Sequence, residues 1–529
     1  MHSRNPFVKH LGPALAALAL ISACGKSGSK TADDAALWDV STAPARYRGV
    51  AQTFSDEVRA SGAVGAAMGI IEGGVLTYSV GVGRKDPRTA TRVEPTTLFR
   101  IGSITKMMTS LAVMQEVQAG NVGLDDLLVD HVPGFHLADG DPSTITIRHL
   151  LEHTSGLYDY LELDAPPGER GDDALLAFLT GRFGDPESSG GVGEYLMVDA
   201  GRFYNYSNPN FELAGLVAQE SSGVLYRQLM SERVFGPLGM TRTFFLPDEV
   251  LADGDYAASS SAALSPSLVL PDRYDNPWGR PAGFAWSSVS DLATFAGFLM
   301  NGDEAVLAAD LHAQMTSPTH STQELLDLLH YGYGLVAGDG FWLGSPYYAV
   351  HTLSHGGNIP GYSAEMFLIP DLGFGIVWLT SGDEVYFSQT LGRALSDLPA
   401  LPSPSTPPDI AVDPATFTEE TGTYVDPHLA GEVTVTLSAG SLRLSAPAAD
   451  AAGIPYDPVL APASPRNFVL TLDGQQWLLT FIHGSAGEPT WMRTRLFVAE
   501  RAPSGLRGAQ AGEVDPERFR RAVQAARME

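Results

Sequence analysis

One cysteine, Cys24, stands in 529 residues, so neither an intramolecular disulfide nor a cysteine-rich zinc module is open to this chain. Positive charge is also scarce. The 33 lysines and arginines face 61 acidic residues, a formal net charge of −28. Such a surface is a poor partner for nucleic acid or for an anionic membrane. Lysine is nearly missing: Lys9, Lys26, Lys30, Lys85 and Lys106 are the full set, and none follows Lys106. Long apolar runs are few. Leu11 to Ser22 spans about a dozen residues, which is too short to cross a bilayer. What is present is a globular composition, 44% hydrophobic and 18% charged. At roughly 100–200 residues per domain it predicts two or three domains.

The amino terminus reads as an address. Arg4 and Lys9 precede the apolar run, which has signal-peptide length and ends in Ile21-Ser22-Ala23-Cys24. This resembles a bacterial lipobox. The resemblance implies cleavage before Cys24 and its lipidation. The mature chain is then expected in the bacterial cell envelope, held to a membrane through that lipid anchor only. A polar, glycine- and serine-containing tether follows, expected over residues 24–44.

Val64–Ile71 and Val75–Val80, around Gly73-Gly74, predict a hairpin. Ile104–Ala119, almost uncharged, predicts a buried central helix. Helices and loops fill residues 145–300, with helices at Phe211–Glu220 and Val289–Met300, and strands return at Ala364–Ile369 and Phe374–Leu379. Strands at both ends with helices between them predict an α+β domain over residues 45–397, with an antiparallel sheet, flanking helices and an all-helical region. Proline-rich residues 398–415 predict a stiff linker. Val433–Leu437, Leu442–Leu444, Phe468–Leu472, Trp477–Ile482 and Arg495–Val498 predict short strands of a small antiparallel β-barrel or sandwich over residues 416–500. In the tail, residues 501–529, Asp515-Pro516 opens a short helix.

Three groups carry candidate chemistry. Ser103 and Lys106 lie three apart at a helix start, so hydroxyl and amine share a face. A serine nucleophile needs a neighbour to take its proton. A buried lysine can serve where arginine, always protonated, cannot. Alone the pair is equally a helix cap with a solvated lysine, and Ser27 and Lys30 repeat the spacing in the tether. Tyr206-Ser207-Asn208 offers a phenol that gives up its proton more readily beside an ammonium, and an amide to hold that ammonium. His355-Gly356-Gly357, before the strand at Ala364, offers a close backbone approach to substrate.

In this order the three groups resemble the penicillin-recognising serine hydrolases, the β-lactamase-like family, of class C type. His149-Leu-Leu-Glu-His-Thr-Ser-Gly-Leu157, Pro237-Leu-Gly-Met240 and Tyr331-Gly-Tyr-Gly-Leu335 extend the likeness over roughly residues 45–395. The carboxy-terminal strands resemble the lipocalin-like domain appended to many such proteins. The resemblance implies that Ser103 forms an acyl-enzyme, that Lys106 and Tyr206 share the proton, and that Asn208 orients Lys106 and the substrate. His355 and Gly357 then line the substrate site, and the N–H groups of Ser103 and Asn358 form an oxyanion hole. No metal or organic cofactor is implied. One departure is plain: most β-lactamases and D,D-transpeptidases begin the third motif with a lysine that binds the substrate carboxylate, and here His355 takes that place. This fits D-aminopeptidases, D-peptidases and esterases better than an efficient β-lactamase. The expected substrates are small molecules or peptides, peptidoglycan fragments among them. The alternatives are a carboxylesterase and a non-catalytic binder of cell-wall fragments.

Overall fold

The computed structural model describes residues 35–526 apart from 161, 164, 166–168, 182–194, 319, 326, 485, 486, 488 and 504–513. Cys24 and the expected signal peptide lie outside the described residues, as does the first part of the tether. The rest of the expected tether is packed rather than free. Leu37, Val40 and Ala43 are buried, and Arg92 donates to the carbonyls of Ala36 and Asp39. Three apolar side chains leaving water offset the cost of ordering this short segment.

Helix α1 (Arg48–Ser61) buries Val50, Phe54 and Val58 and stops at Gly62, whose φ of 80° suits glycine. Strands β1 (Gly65–Glu72) and β2 (Val75–Gly83) form the expected hairpin. Helix α2 (Thr105–Gln118) is buried almost all round and packs on α3 (Asn208–Ser222), while α4 (Val289–Asn301) lies against β1. Strands β3 (Leu329–Gly332), β4 (Leu335–Gly338), β5 (Thr352–Ile359), β6 (Tyr362–Ile369) and β7 (Phe374–Thr380) precede helix α5 (Ser388–Asp397). The sheet order is β2-β1-β7-β6-β5-β4-β3, antiparallel throughout. Its two faces separate by the strand period of two. Phe374, Ile376 and Trp378 join a core with α1 and α5, and Val377 and Leu379 join the core of the helical region. Pairing of β1 with β7 closes the amino-terminal hairpin onto the last strands, as expected of an α+β domain.

The chain then runs through irregular backbone and a short 3-10 helix (Pro414–Thr418) to strands β8 (Gly422–Asp426), β9 (Gly431–Ser438), β10 (Ser441–Ser445), β11 (Ala461–Ser464), β12 (Asn467–Leu472), β13 (Gln475–His483), β14 (Pro489–Arg493) and β15 (Val498–Arg501). Their order is β10-β9-β8-β15-β14-β13-β12-β11. Leu444 N–H to Pro458 O at 2.7 Å and Leu460 N–H to Leu442 O at 3.0 Å tie β10 to the residues leading into β11. The result is a nearly closed up-and-down barrel, the arrangement that leaves no long free edge. Phe417, Phe468 and Phe481 meet edge to face within it. Helix α6 (Pro516–Ala526) packs back through Phe519, Ala522 and Val523.

One expected strand is corrected. Of Arg495–Val498 only Val498 pairs as a strand, at the start of β15. Thr494 Oγ accepts the N–H groups of Leu496 and Phe497, both at 3.1 Å, and folds residues 494–497 into the turn between β14 and β15. This turn faces the helical region. The barrel docks there through Tyr195 stacked on His428 at 3.9 Å, Phe203 against Trp491 at 5.6 Å, and Arg493 donating to Thr322 O at 3.0 Å. One continuous apolar core spans the contact.

Candidate active site

Ser103 sits in the tight turn Gly102–Ile104 that opens α2. Gly102 has a φ of 52°, and a Cβ there would lie 2.7 Å from the Asn358 nitrogen. A Cβ on Gly357 would lie 1.9 Å from Ile101 O. Both positions therefore need glycine, and β5 touches the serine turn backbone to backbone. That contact sets the Asn358 nitrogen against Gly102, the residue before Ser103.

Lys106 is one turn on and has no exposed surface. Its ammonium donates to Ser103 Oγ at 3.0 Å, Asn208 Oδ1 at 2.7 Å and Ala282 O at 2.7 Å. Three acceptors match the three N–H bonds of a charged lysine and satisfy the demand that a buried charge be hydrogen-bonded. The Tyr206 hydroxyl donates to Ser103 Oγ at 2.8 Å. Lys106 Nζ lies 4.9 Å from the Tyr206 ring centre, and the Arg495 guanidinium lies 4.6 Å from it. Two cations thus lie against the ring of one phenol.

Around this triangle the walls are aromatic. His153, in the middle of the His149–Leu157 motif, stands 4.2 Å from the Tyr206 ring and 4.7 Å from that of Tyr331. Its Nδ1 accepts from Ser207 N–H at 3.2 Å and from the Asn210 amide at 3.0 Å, so its proton rests on Nε2. Burial, and then the charge of Lys106, hold it well below the ordinary histidine pKa. His355 is buried on β5. Its Nδ1 donates to Gly356 O at 2.6 Å and its Nε2 accepts from the Tyr331 hydroxyl at 3.1 Å. Burial, then Lys106, push its pKa down to about 3. The histidine at the place of the third-motif lysine is therefore neutral across the physiological range and brings no positive charge.

Asp159 ties the site together. Its Oδ1 accepts the N–H of Asn208 at 2.7 Å, and its Oδ2 pairs with Arg495 Nε. The structure brings Ser103, Lys106, Tyr206 and Asn208 into one hydrogen-bonded group, with His355, Gly357 and Asn358 on the adjoining strand. Sequence reasoning missed four neighbours. His153 and Tyr331 lay within motifs already singled out by resemblance. Asp159 and Arg495 carried no local signal, because their meeting depends on how the barrel docks.

The β-lactamase family model matches residues 50–397. Protein flp of Staphylococcus aureus (strain NCTC 8325 / PS 47) is 25% identical over 61% of this chain, a match that spans only 60% of that relative's length. Penicillin-binding protein 4 of Amycolatopsis lactamdurans is 26% identical over 68% of this chain and 94% of its own. Among solved structures, SurE with D-Leu is 23% identical with a TM-score of 0.61, covering 87% of this chain and 100% of that one. A D-stereospecific amidohydrolase from Streptomyces sp. is 25% identical with a TM-score of 0.50, over 66% and 98%. With the family model matched over most of its length, and a serine, lysine and tyrosine joined at the start of α2, this chain belongs to the β-lactamase family of serine hydrolases.

Proposed function

We propose that this chain is an envelope-anchored serine hydrolase that cleaves amide or ester bonds through an acyl-enzyme, with D-amino-acid peptides or amides as its substrates. The observation that carries the reading is the triangle of Ser103, Lys106 and Tyr206, with separations of 3.0 and 2.8 Å at Ser103 Oγ. Lys106 and Tyr206 share one proton, and in the form with Lys106 as ammonium and Tyr206 as phenolate the phenolate takes the Ser103 proton while Oγ adds to the substrate carbonyl. The N–H groups of Ser103 and Asn358 receive the developing oxyanion, a kind of contact typically worth about 3–4 kcal/mol of barrier. Tyr206 passes the proton to the leaving group, and Lys106, held by Asn208, keeps the charge balanced. Water then releases the acid. The D-stereospecific amidohydrolase from Streptomyces supports the D-configured substrate class. The lipobox supports anchoring through Cys24, and the eight-stranded barrel supports a lipocalin-type appended domain.

Hydrolysis of D- and L-alanine p-nitroanilide tests the reading. Release of nitroaniline from the D isomer, abolished in Ser103→Ala, is expected. Preference for the L isomer removes the D-substrate class, and activity surviving in Ser103→Ala removes the nucleophile. A carboxylesterase is the second reading. The neutral His355 favours it, since uncharged esters need no cation at the third motif.

A further inference from the structure

Behind the serine turn the chain buries a guanidinium that no carboxylate answers. Arg100, shortly before Ser103, is only 1% exposed. Its Nη2 donates to the carbonyls of Tyr274, at 2.6 Å, and Pro271, at 3.2 Å, while Nε and Nη1 have no hydrogen-bond partner. The guanidinium instead lies among rings, 4.4 Å from the centre of Tyr274, 5.0 Å from Trp286 and 5.6 Å from Phe284. Among the described residues no carboxylate bonds it. A cation buried in this way is costly, and an apolar side chain of similar length fills such a place without that cost. Packing alone therefore does not account for Arg100. We infer that Arg100 and Tyr274 are positioning residues, which hold the serine turn at a fixed distance from the strand that carries the second oxyanion donor. This rests on the acyl-transfer reading above.

Residues 271–286 wrap around the guanidinium and touch every part of the site. At one end, Phe99–Arg100 pairs with Trp286–Ser287, and Ile101 N–H donates to Ala285 O at 3.0 Å. In the middle, Ala282 O accepts from Lys106 Nζ at 2.7 Å. At the other end, the Tyr274 hydroxyl donates to Pro360 O at 2.8 Å, in the turn between β5 and β6. Asn358, whose N–H belongs to the proposed oxyanion hole, lies two residues back on β5. Arg100 thus holds Tyr274 by its carbonyl, and Tyr274 holds the end of β5 by its hydroxyl.

A second tie runs beside the first. The Tyr362 hydroxyl donates to Ala257 O at 2.7 Å, and Ala257 N–H donates to Leu98 O at 2.8 Å. Both ties join the β5–β6 turn to the strand that leads into Ser103. The backbone contact of Gly102 with Gly357 and Asn358 stops β5 from moving closer to the serine turn. The Arg100–Tyr274 strut stops it from drawing away. Reacting groups misplaced by about 1 Å can lose a hundredfold in rate, so a strut of this kind bears directly on catalysis.

Tyr274→Phe in the full-length protein removes one hydroxyl and keeps the rings around Arg100. Its kcat/KM for p-nitrophenyl acetate is expected to fall about tenfold. Phenylboronic acid, whose tetrahedral adduct on Ser103 sets an oxygen in the oxyanion position, should lose affinity by the same factor. Arg100→Met should lose about a hundredfold in both measurements. Arg100→Lys, which still donates to the two carbonyls, should recover part of each. The boronate inhibition constant does not depend on how much of a variant folds, so a residue that only stabilises the fold lowers the melting temperature and leaves that constant alone. A boronate constant within about twofold of the parent in Tyr274→Phe or Arg100→Met overturns the inference, even where turnover has slowed. Failure of the parent to release nitrophenol, or release that survives Ser103→Ala, overturns the acyl-transfer reading and this inference with it.

Discussion

In a Lys106→Arg variant the positive charge stays and the proton chemistry goes. This is one of the few positions where the chain uses lysine and not arginine, so the exchange asks what the lysine is for. Arginine keeps its proton at any ordinary pH, with a pKa above about 12. Loss of acid–base participation costs typically about 10²–10⁴ in rate, or roughly 3–5 kcal/mol of barrier. The site also resists the larger head. Lys106 has no exposed surface, and its nitrogen is held within 3.0 Å of three acceptors. Inserting extra atoms into so tight a place costs about 1–3 kcal/mol of stability, a fall in melting temperature of about 2–12 °C at the rates seen for large domains. Stopped-flow acylation with p-nitrophenyl acetate, read beside a calorimetric melt, separates the two effects. The expected result is a fully folded variant at working temperature that acylates at about a hundredth of the parental rate or less. A folded variant acylating within about threefold of the parent would show that charge alone suffices at this position, and the argument for proton sharing by Lys106 would fail.

Three further outcomes follow from burial and contact. His153 and His355 are both buried with depressed pKa values, so each stays neutral in the fold while its unfolded form protonates below about pH 6.5. Stability is therefore full above that pH and falls on acidification by up to about 1.4 kcal/mol per unit for each histidine; denaturant melts at pH 7, 5.5 and 4.5 should show a smaller fall in His355→Gln. Glu365 on β6 is buried with no hydrogen bond on Oε1, and burial raises its pKa well above the carboxylate range. Its destabilising effect is absent below about pH 4 and grows as the pH rises above the unfolded value, so Glu365→Gln should melt higher than the parent at pH 7 and alike at pH 4. Gly357→Ala drives a methyl to 1.9 Å from Ile101 O; acylation should fall more than about a hundredfold as β5 is pushed off the serine turn, and parental rates in that variant would show that the contact is not needed.

Much of the fold was legible because its signals are local. The Gly73-Gly74 hairpin, the uncharged run that became α2, and strands β6 and β7 each announce themselves within ten or so residues by turn chemistry or period. The segment 489–501 was not read correctly because its deciding feature is one hydroxyl: Thr494 turns the chain where β-propensity alone continues it. Residues 35–44 looked like tether because their apolar side chains, Leu37, Trp38, Val40 and Ala43 among them, follow neither a helical nor a strand period. The candidate triangle was accessible through residue chemistry and resemblance. Arg495 was not, since it lies 336 positions from its partner Asp159 and no periodicity encodes a contact between two domains.

The pairing of β1 with β7 has a consequence for the living cell as well as for the folded molecule. Gly65 and Thr380 are hydrogen-bonded across 315 positions of chain. At about 5–20 residues synthesised per second, the hairpin of β1 and β2 waits roughly 15–60 s for the strand that completes its sheet. Throughout that interval Ala66, Met68 and Ile70 form a bare apolar edge of the kind that recruits foreign strands. Newborn copies of this protein thus pass through a long window of vulnerability to aggregation, and the barrel emerges only after that window has closed.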